Sequence, residues 1–446
     1  MPKIFIYDNL PPETLAMLQA LYSRSPKSVE EHIEKVRRAG SSDFMASYYV
    51  GYGHKSIGDC GTTTLFFENV SILAAKAIQD WPLYSGQETS TRYVDYSTQP
   101  IHDPVNTPES RKILQDWIDF YIRAKEQVTV HLKQQYPLAD DGDRKIWQKA
   151  INARCFDIVR GFLPAGVTTQ LSWTTNLRQA QEKLSLLKHH PLAEVRGIAN
   201  KAIEILVARY PASFRMKEKP DIEEYNALVA EEVNYSTHSN TSVTADDIYG
   251  LNFETLLDSD DYKIIEKKGK DILSIRPKGG MVPRFFSKLG RYKLSFFLDY
   301  GSFRDLQRHR NGICQIPFLT DQHGFHGWYV KHLPIDLLEE AIILLDKQRA
   351  VLSSVNSNCF NKQYYIPMGY TVPIEVVYDL PQMVYVTELR SQSTVHPTLR
   401  DIILNVFYPA LKQNHPYLKL YVDTTPDGFE LRRGNQDIEG KFANGQ

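Results

Sequence analysis

Cysteine is scarce in this chain, and its few copies stand apart. Cys60, Cys155, Cys314 and Cys359 show no CxxC spacing. That pattern argues against a disulfide frame or a zinc site and suits reduced thiols in the cytoplasm. Long apolar runs are missing as well, since no stretch approaches the roughly 20 residues a membrane helix needs. The opening MPKIFIYDNLPPE has no basic region leading into a long apolar one, so no signal peptide is expected. Neither sign of charge prevails. Lys and Arg total 52 against 53 Asp and Glu, a formal charge of -1. A broadly basic nucleic-acid surface is not expected, although a few local Arg residues suffice for a phosphate. What is present is an ordinary globular composition, 42% hydrophobic over 446 residues, long enough for two domains.

The same signals occur twice in the same order. Leu65-Phe66-Phe67 leads to Ser71, and Ser295-Phe296-Phe297 leads to Ser302. Phe162-Leu163-Pro164-Ala165-Gly166-Val167-Thr168 is answered by Tyr365-Ile366-Pro367-Met368-Gly369-Tyr370-Thr371. Leu177-Arg178 and Leu389-Arg390 follow, then His190-Pro191 and His396-Pro397, then Arg196 and Arg400. Such order points to a duplicated unit; one large domain with coincidental turns is the alternative. The expected fold class is α+β, with two units in tandem over 1–220 and 221–427. Each would be a mixed or antiparallel sheet with packed helices, and 428–446 would form a flexible tail. The polar stretch SFRMKEKP, closed by Pro220, marks the join.

Local patterns fit this plan. Lys3 to Tyr7 reads as a short strand and Pro12 to Tyr22 as a helix begun by proline. Phe66 to Ile78 is too long for one strand and suggests a strand running into a helix. Helices are expected from Pro108 to Gln135 and from Pro191 to Tyr210, the latter stopped by Pro211. Thr241 to Asp261 reads as a surface loop or insertion.

Three constellations carry chemistry. GHKSIGDC, from Gly53 to Cys60, sets His54 in a glycine-punctuated turn, where it serves a ligand or merely caps a helix. Ser85-Gly86-Gln87-Glu88-Thr89-Ser90-Thr91-Arg92 brings amide, carboxylate, hydroxyl and guanidinium together, chemistry suited to a phosphorylated ligand or to a solvated strand. Arg304-Asp305-Leu306-Gln307-Arg308-His309-Arg310 concentrates three Arg and one His, suited to a polyanion or to a charged helix face.

These residues resemble the flavin-dependent thymidylate synthase family (ThyX). Its Gly-His-x-Ser turn is matched by Gly53, His54 and Ser56. Its signature, Arg-His-Arg followed by spaced Ser, Asn-Glu, Ser and Arg, is divided between the halves. The first half keeps Ser85, Gln87 in the Asn position, Glu88, Ser90 and Arg92, with Asp80-Trp81-Pro82 where Arg-His-Arg would stand. The second keeps Arg308-His309-Arg310 but runs on as Asn311-Gly312-Ile313-Cys314-Gln315-Ile316. The family's later Asn-x-Arg is matched by Asn176 and Arg178, and the second half retains Arg390 after Glu388.

The resemblance implies methylation of dUMP from methylenetetrahydrofolate, with FAD as cofactor and NADPH or another reductant. It assigns Arg308, His309 and Arg310, with His54, Ser56 and Asn176, to the cofactor. Gln87, Glu88, Ser90 and Arg92 fall to the nucleotide, and Arg178 becomes the catalytic group that favours negative charge on the pyrimidine. It further implies a homo-oligomer, two chains forming a four-unit assembly, with sites composed from both halves; separately retained but disabled sites are the alternative. Because Asp80 reverses a charge and Pro82 removes a donor, two other readings stand. One is a non-catalytic nucleotide- or flavin-binding protein, and the other modifies a different pyrimidine nucleotide.

Overall fold

The structure, a computed structural model, describes residues 2–214, 219–233, 235 and 250–436. It is α+β and separates into two compact units. The first comprises Met1–Val70, Ala74–Glu88 and Thr169–Asn234; the second comprises Ser71–Leu73, Thr89–Thr168 and Tyr235–Gln446. Among the described residues no helix is long and apolar enough to cross a membrane.

The first unit holds strands β1 (Thr62–Ser71) and β2 (Thr168–Asn176), which pair with each other. The segment after β1 adds bridges from Ser85 to Thr174 and from Glu88 to Leu171. The helix Pro12–Tyr22 forms where expected, with proline in its first turn, and buries Met17 and Leu18 against Ile33 and Val36 of Val29–Ala39. Leu177–Leu187 buries Leu177, Ala180, Leu184 and Leu187, one stripe at helical spacing. It packs against Ala193–Arg209 and Pro220–Val233. Lys3 to Tyr7 forms no strand: Ile4 and Ile6 are almost fully exposed, so the alternating pattern found no sheet edge to pair with. The expected polar join is partly helical, because Pro211–Phe214 forms another turn that buries Phe214; residues 215–218 lie outside the described ones.

The second unit carries β3 (Gly250–Glu254), β4 (Arg291–Asp299), β5 (Ile313–Gln315) and β6 (Thr371–Asp379), antiparallel in the order β3-β4-β6-β5. Facing pairs Tyr292–Tyr378, Leu294–Val376, Phe296–Ile374 and Leu298–Val372 are buried on one face, as a period of two requires. The long helix Pro108–Gln135 starts at a reciprocal Thr107–Ser110 cap and packs on Arg144–Val159 and Ile335–Ser354. Of the stretch expected as loop from Thr241 to Asp261, residues 241–249 lie outside the described ones, while β3 and the start of Ser259–Leu273 are regular structure. In the stretch expected as a tail, Leu431–Gln436 forms a short 3-10 helix against Arg144–Val159, with Arg433 buried. Residues 437–446 lie outside the described ones.

Within this unit one hydrogen-bond pattern is written twice. Ile72 and Leu73 donate to Val167 and Ala165, as Tyr300 and Gly301 donate to Tyr370 and Met368. His102 donates to Gly166 as His326 does to Gly369, and Thr168 to Pro100 as Thr371 to Gly324. Ala165 donates to Ile366 while Met368 donates to Leu163; Gly166 donates to Tyr364 while Gly369 donates to Gly161. Pro164 and Pro367, bridged to one another, lie at the centre of this local two-fold pattern. In this pattern Ile72 has the same place as Tyr300, and Ser71 the same place as Asp299. Counted on along the chain from Thr168 and Thr371, Leu177 has the same place as Leu380 and Arg178 the same place as Pro381.

Candidate functional site

In the first unit Gly53 takes φ +71 and turns the chain into His54, which precedes the helical turn Lys55–Gly58. His54 and Ser56 are exposed, and the His54 ring lies 6.2 Å from Tyr52. This turn is anchored on Leu177–Leu187. Lys55 approaches Glu182 at 3.6 Å, and Arg178 Nε donates to Asp59 at 2.7 Å. Arg178 also donates to Glu182 at 3.2 Å, so its guanidinium sits between two carboxylates. The bond to Asp59, more than anything else, raises its pKa. Asn176 caps the same helix by accepting from the Gln179 amide at 2.8 Å, a local structural task.

Gln87 and Glu88 lie along the other edge of β2. Gln87 exchanges hydrogen bonds with Ser172, its amide donating to Oγ and its carbonyl accepting from the Ser172 amide. Glu88 accepts from the buried Gln79 amide at 2.6 Å. Where Arg-His-Arg would stand, Trp81 donates to Gln179 at 2.7 Å and Lys183 donates to the Asp80 carbonyl at 2.8 Å. Burial pushes the Lys183 pKa down to about 8.

The second unit gathers the remaining candidates. Ser90 Oγ accepts from the Arg92 amide at 3.2 Å. The Arg92 guanidinium forks onto Asp157, Nε to Oδ1 at 2.7 Å and Nη2 to Oδ2 at 3.1 Å, and Nη2 also donates to the Thr394 carbonyl. Arg433 grips the same carboxylate through both of its Nη atoms. Burial alone would raise the Asp157 pKa, but Arg433 and Arg92 outweigh it and hold the group ionised.

Arg308 ends the helix Tyr300–Gln307 and is exposed, His309 is buried, and Arg310 donates to the Arg308 carbonyl at 3.1 Å. Arg390 Nε donates to His309 Nε2 at 2.8 Å and Nη2 to the Asp305 carbonyl at 2.8 Å. An imidazole that accepts at Nε2 carries its proton on Nδ1. Burial first, then the Arg390 charge, drives the His309 pKa down to about 3, so the ring is neutral at pH 7. Arg160, fully buried, donates to Ser302 at 2.9 Å and faces Asp305 at 3.5 Å. Burial opposes ionisation of Asp305, yet Arg160, Arg308, Arg390 and Arg92 together keep it charged.

This cluster is rich in positive charge. Buried or half-buried Arg92, Arg160, Arg390 and Arg433 stand against Asp157, Asp305 and, beside Arg160, Asp299, a surplus of one, with the exposed Arg308 at its edge. Uncompensated buried charge is costly, and an anion relieves it. Two buried donors add to the demand for acceptors: Arg160 Nε and Gln307 Nε2 have no partner among the described residues. Beside the cluster opens a cleft of about 440 Å³, lined by Arg276, Gly280, Asn311, Pro381, Tyr385 and Tyr421 among others. Tyr385 meets the His309 ring edge-on at 5.8 Å. Among the described residues no cluster of His, Cys, Asp and Glu suits a metal ion.

Sequence reasoning singled out Arg92 and the Arg-His-Arg run but missed Asp157, Arg160 and Arg433. Their signal was faint: Arg160 stands just before the repeated Phe162–Thr168 motif, and Arg433 lies in a stretch without apolar periodicity.

Residues 6–212 match the family described as thymidylate synthase complementing protein. Over the greater part of its length the chain is 25% identical to UPF0159 proteins. These include one from Chlamydia pneumoniae, covering 89% of this chain and 83% of the relative. Another, from Thermoplasma acidophilum, gives 91% and 95%. A solved flavin-dependent thymidylate synthase ThyX from Helicobacter pylori, complexed with FAD and dUMP, is 14% identical. It covers 46% of this chain and 94% of that one at a TM-score of 0.28.

Proposed function

We propose that this chain, whose residues 6–212 fall in the thymidylate synthase complementing protein family, is a flavoprotein that methylates dUMP from methylenetetrahydrofolate. The observation that carries the reading is the arginine cluster of the second unit, with one positive charge in surplus among its buried groups and Arg308 exposed at its edge, beside a cleft of about 440 Å³. A diphosphate and a nucleotide phosphate are the ligands such a cluster fits. The paired hydrogen bonds around Pro164 and Pro367 support reading the chain as two diverged copies of one unit. On that reading the cleft brings together Gly279–Val282, Asn311 after Arg-His-Arg, and Pro381. These answer in turn to the first copy's Gly51–His54, Leu83 and Arg178.

The residues suit FAD, through Arg308 and Arg310 for its diphosphate and the exposed Tyr385 ring, backed edge-on by neutral His309, for its flat ring system. Bound there, FAD supplies the hydride chemistry that side chains lack. Ser90 and Arg92 are the proposed phosphate contacts of the nucleotide. In the first unit His54, Ser56, Asn176, Gln87, Glu88 and Arg178 remain candidates to be tested singly. Arg178 has Nε engaged by Asp59 and Nη1 by Glu182, which leaves Nη2 to polarise a pyrimidine carbonyl.

The two carboxylates on Arg178, which offset the charge of the proposed catalytic group, favour a second reading, a protein that binds flavin and nucleotide without turnover. Incubating the protein with FAD, a reductant, methylenetetrahydrofolate and dUMP separates the two. Methylated nucleotide supports the enzyme; flavin and dUMP binding without product supports the binding protein.

A further inference from the structure

We propose that Arg433, far along the chain from every signature residue, is a positioning residue that shares Asp157 and so keeps the Arg92 site net positive toward a nucleotide phosphate. The inference rests on the reading of Arg92 given above. Asp157 is almost wholly buried and lies between two guanidiniums, each approaching both carboxylate oxygens. With Arg92 alone, the carboxylate would cancel the charge that an incoming phosphate needs. With Arg433 sharing it, the triad keeps one positive charge, and Arg92 Nη1 is still without a partner among the described residues. An anion can then be received without breaking the Arg92–Asp157 fork, which fixes the direction of the guanidinium.

The segment that delivers Arg433 is fastened for this task. Asp427 accepts from the buried Arg154 at 3.1 Å, Phe429 stacks on Tyr136 at 4.7 Å, and Arg432 donates to Ser393 at 2.7 Å. The Arg433 guanidinium lies 5.3 Å from the centre of the Tyr93 ring, the residue next to Arg92. Gly434 passes so close to the Ile146 carbonyl that a Cβ would fall at 2.1 Å, so only glycine allows this path. These contacts hold one arginine against one carboxylate.

The test measures binding of dUMP, of deoxyuridine and of FAD to the full chain and its variants. Arg433→Gln should weaken dUMP by roughly tenfold or more, the scale of one charge-assisted contact. Deoxyuridine, which lacks the phosphate, and FAD should bind as before. Arg433→Lys should restore part of the dUMP affinity. Gly434→Ala, which shifts the segment and keeps the arginine, should repeat the Arg433→Gln pattern and serves if that variant folds poorly. If Arg92→Ala weakens dUMP while Arg433→Gln and Gly434→Ala leave it unchanged, the proposal is overturned. Equal losses for dUMP, deoxyuridine and FAD would also overturn it, as they would mark a merely structural role. If Arg92→Ala itself has no effect, the underlying reading of Arg92 fails instead.

Discussion

The segment that follows β1 and the one that follows β4 run in the same register and solve the same problem differently. Each begins with a helix that ends in a buried glutamine, Gln79 in the first and Gln307 in the second. Gln79 is answered by Glu88, whereas the place of Glu88 is taken by the buried Ile316, and Gln307 Nε2 is left without a partner among the described residues. Beyond the glutamine, the first segment reads Asp80-Trp81 with Lys183 against them, and the second reads Arg308-His309 with Arg390. The first has satisfied its polar groups internally. The second retains donors and positive charge in excess of acceptors, which is the condition of a binding site rather than of a finished core.

The comparison is most severely tested at Asp157, which holds two of the second unit's cations. Asp157→Ala should destabilise the protein by about 3–5 kcal/mol, the usual cost of stranding buried charge. Chemical denaturation measures it, and a loss within experimental error would mean that the cluster relaxes freely. A smaller contrast separates the glutamines. Gln79→Leu should cost about 1–3 kcal/mol, because the Glu88 carboxylate loses the charge-assisted bond that Gln79 donates. Gln307→Leu should cost under about 0.5 kcal/mol in the ligand-free protein, because no protein partner loses a donor. Equal costs would erase the distinction drawn between the two segments.

The third test uses pH. His309 has a folded pKa near 3, below its ordinary value of 6.5, so the unfolded chain takes up a proton that the folded one refuses. The stability it contributes is complete above about pH 6.5 and falls as pH drops toward 3, by up to about 1.4 kcal/mol per unit. His309→Gln should flatten the stability profile between pH 4 and 6 relative to wild type, while an unchanged slope would remove His309 as a buried neutral ring.

Much of the fold was legible because it rests on local patterns. The helices Pro12–Tyr22 and Pro108–Gln135 and the strand-to-helix passage after β1 follow from proline, capping and periodicity. Lys3–Tyr7 was misread because alternation states only that a strand could form, not that an edge awaits it. The candidate site was legible in its arginines and opaque in its carboxylates. Asp157 sits in the last turn of Arg144–Val159 with no motif around it, and its importance arises only from contacts with residues remote in sequence, Arg92 and Arg433. The order of motifs said nothing of the backbone hydrogen bonds that join Leu163–Gly166 to Tyr364–Gly369, which only the folded chain displays.

The central claim is that the second unit's arginine cluster binds a flavin dinucleotide through Arg308 and Arg310. The most direct measurement is the visible absorbance and FAD affinity of the purified protein, wild type against Arg308→Ala/Arg310→Ala. The account predicts a yellow wild-type protein and a folded double variant whose FAD affinity falls by at least roughly tenfold, with two charge-assisted contacts removed. A wild-type protein that takes up no FAD, or a folded double variant that holds it undiminished, would contradict the claim.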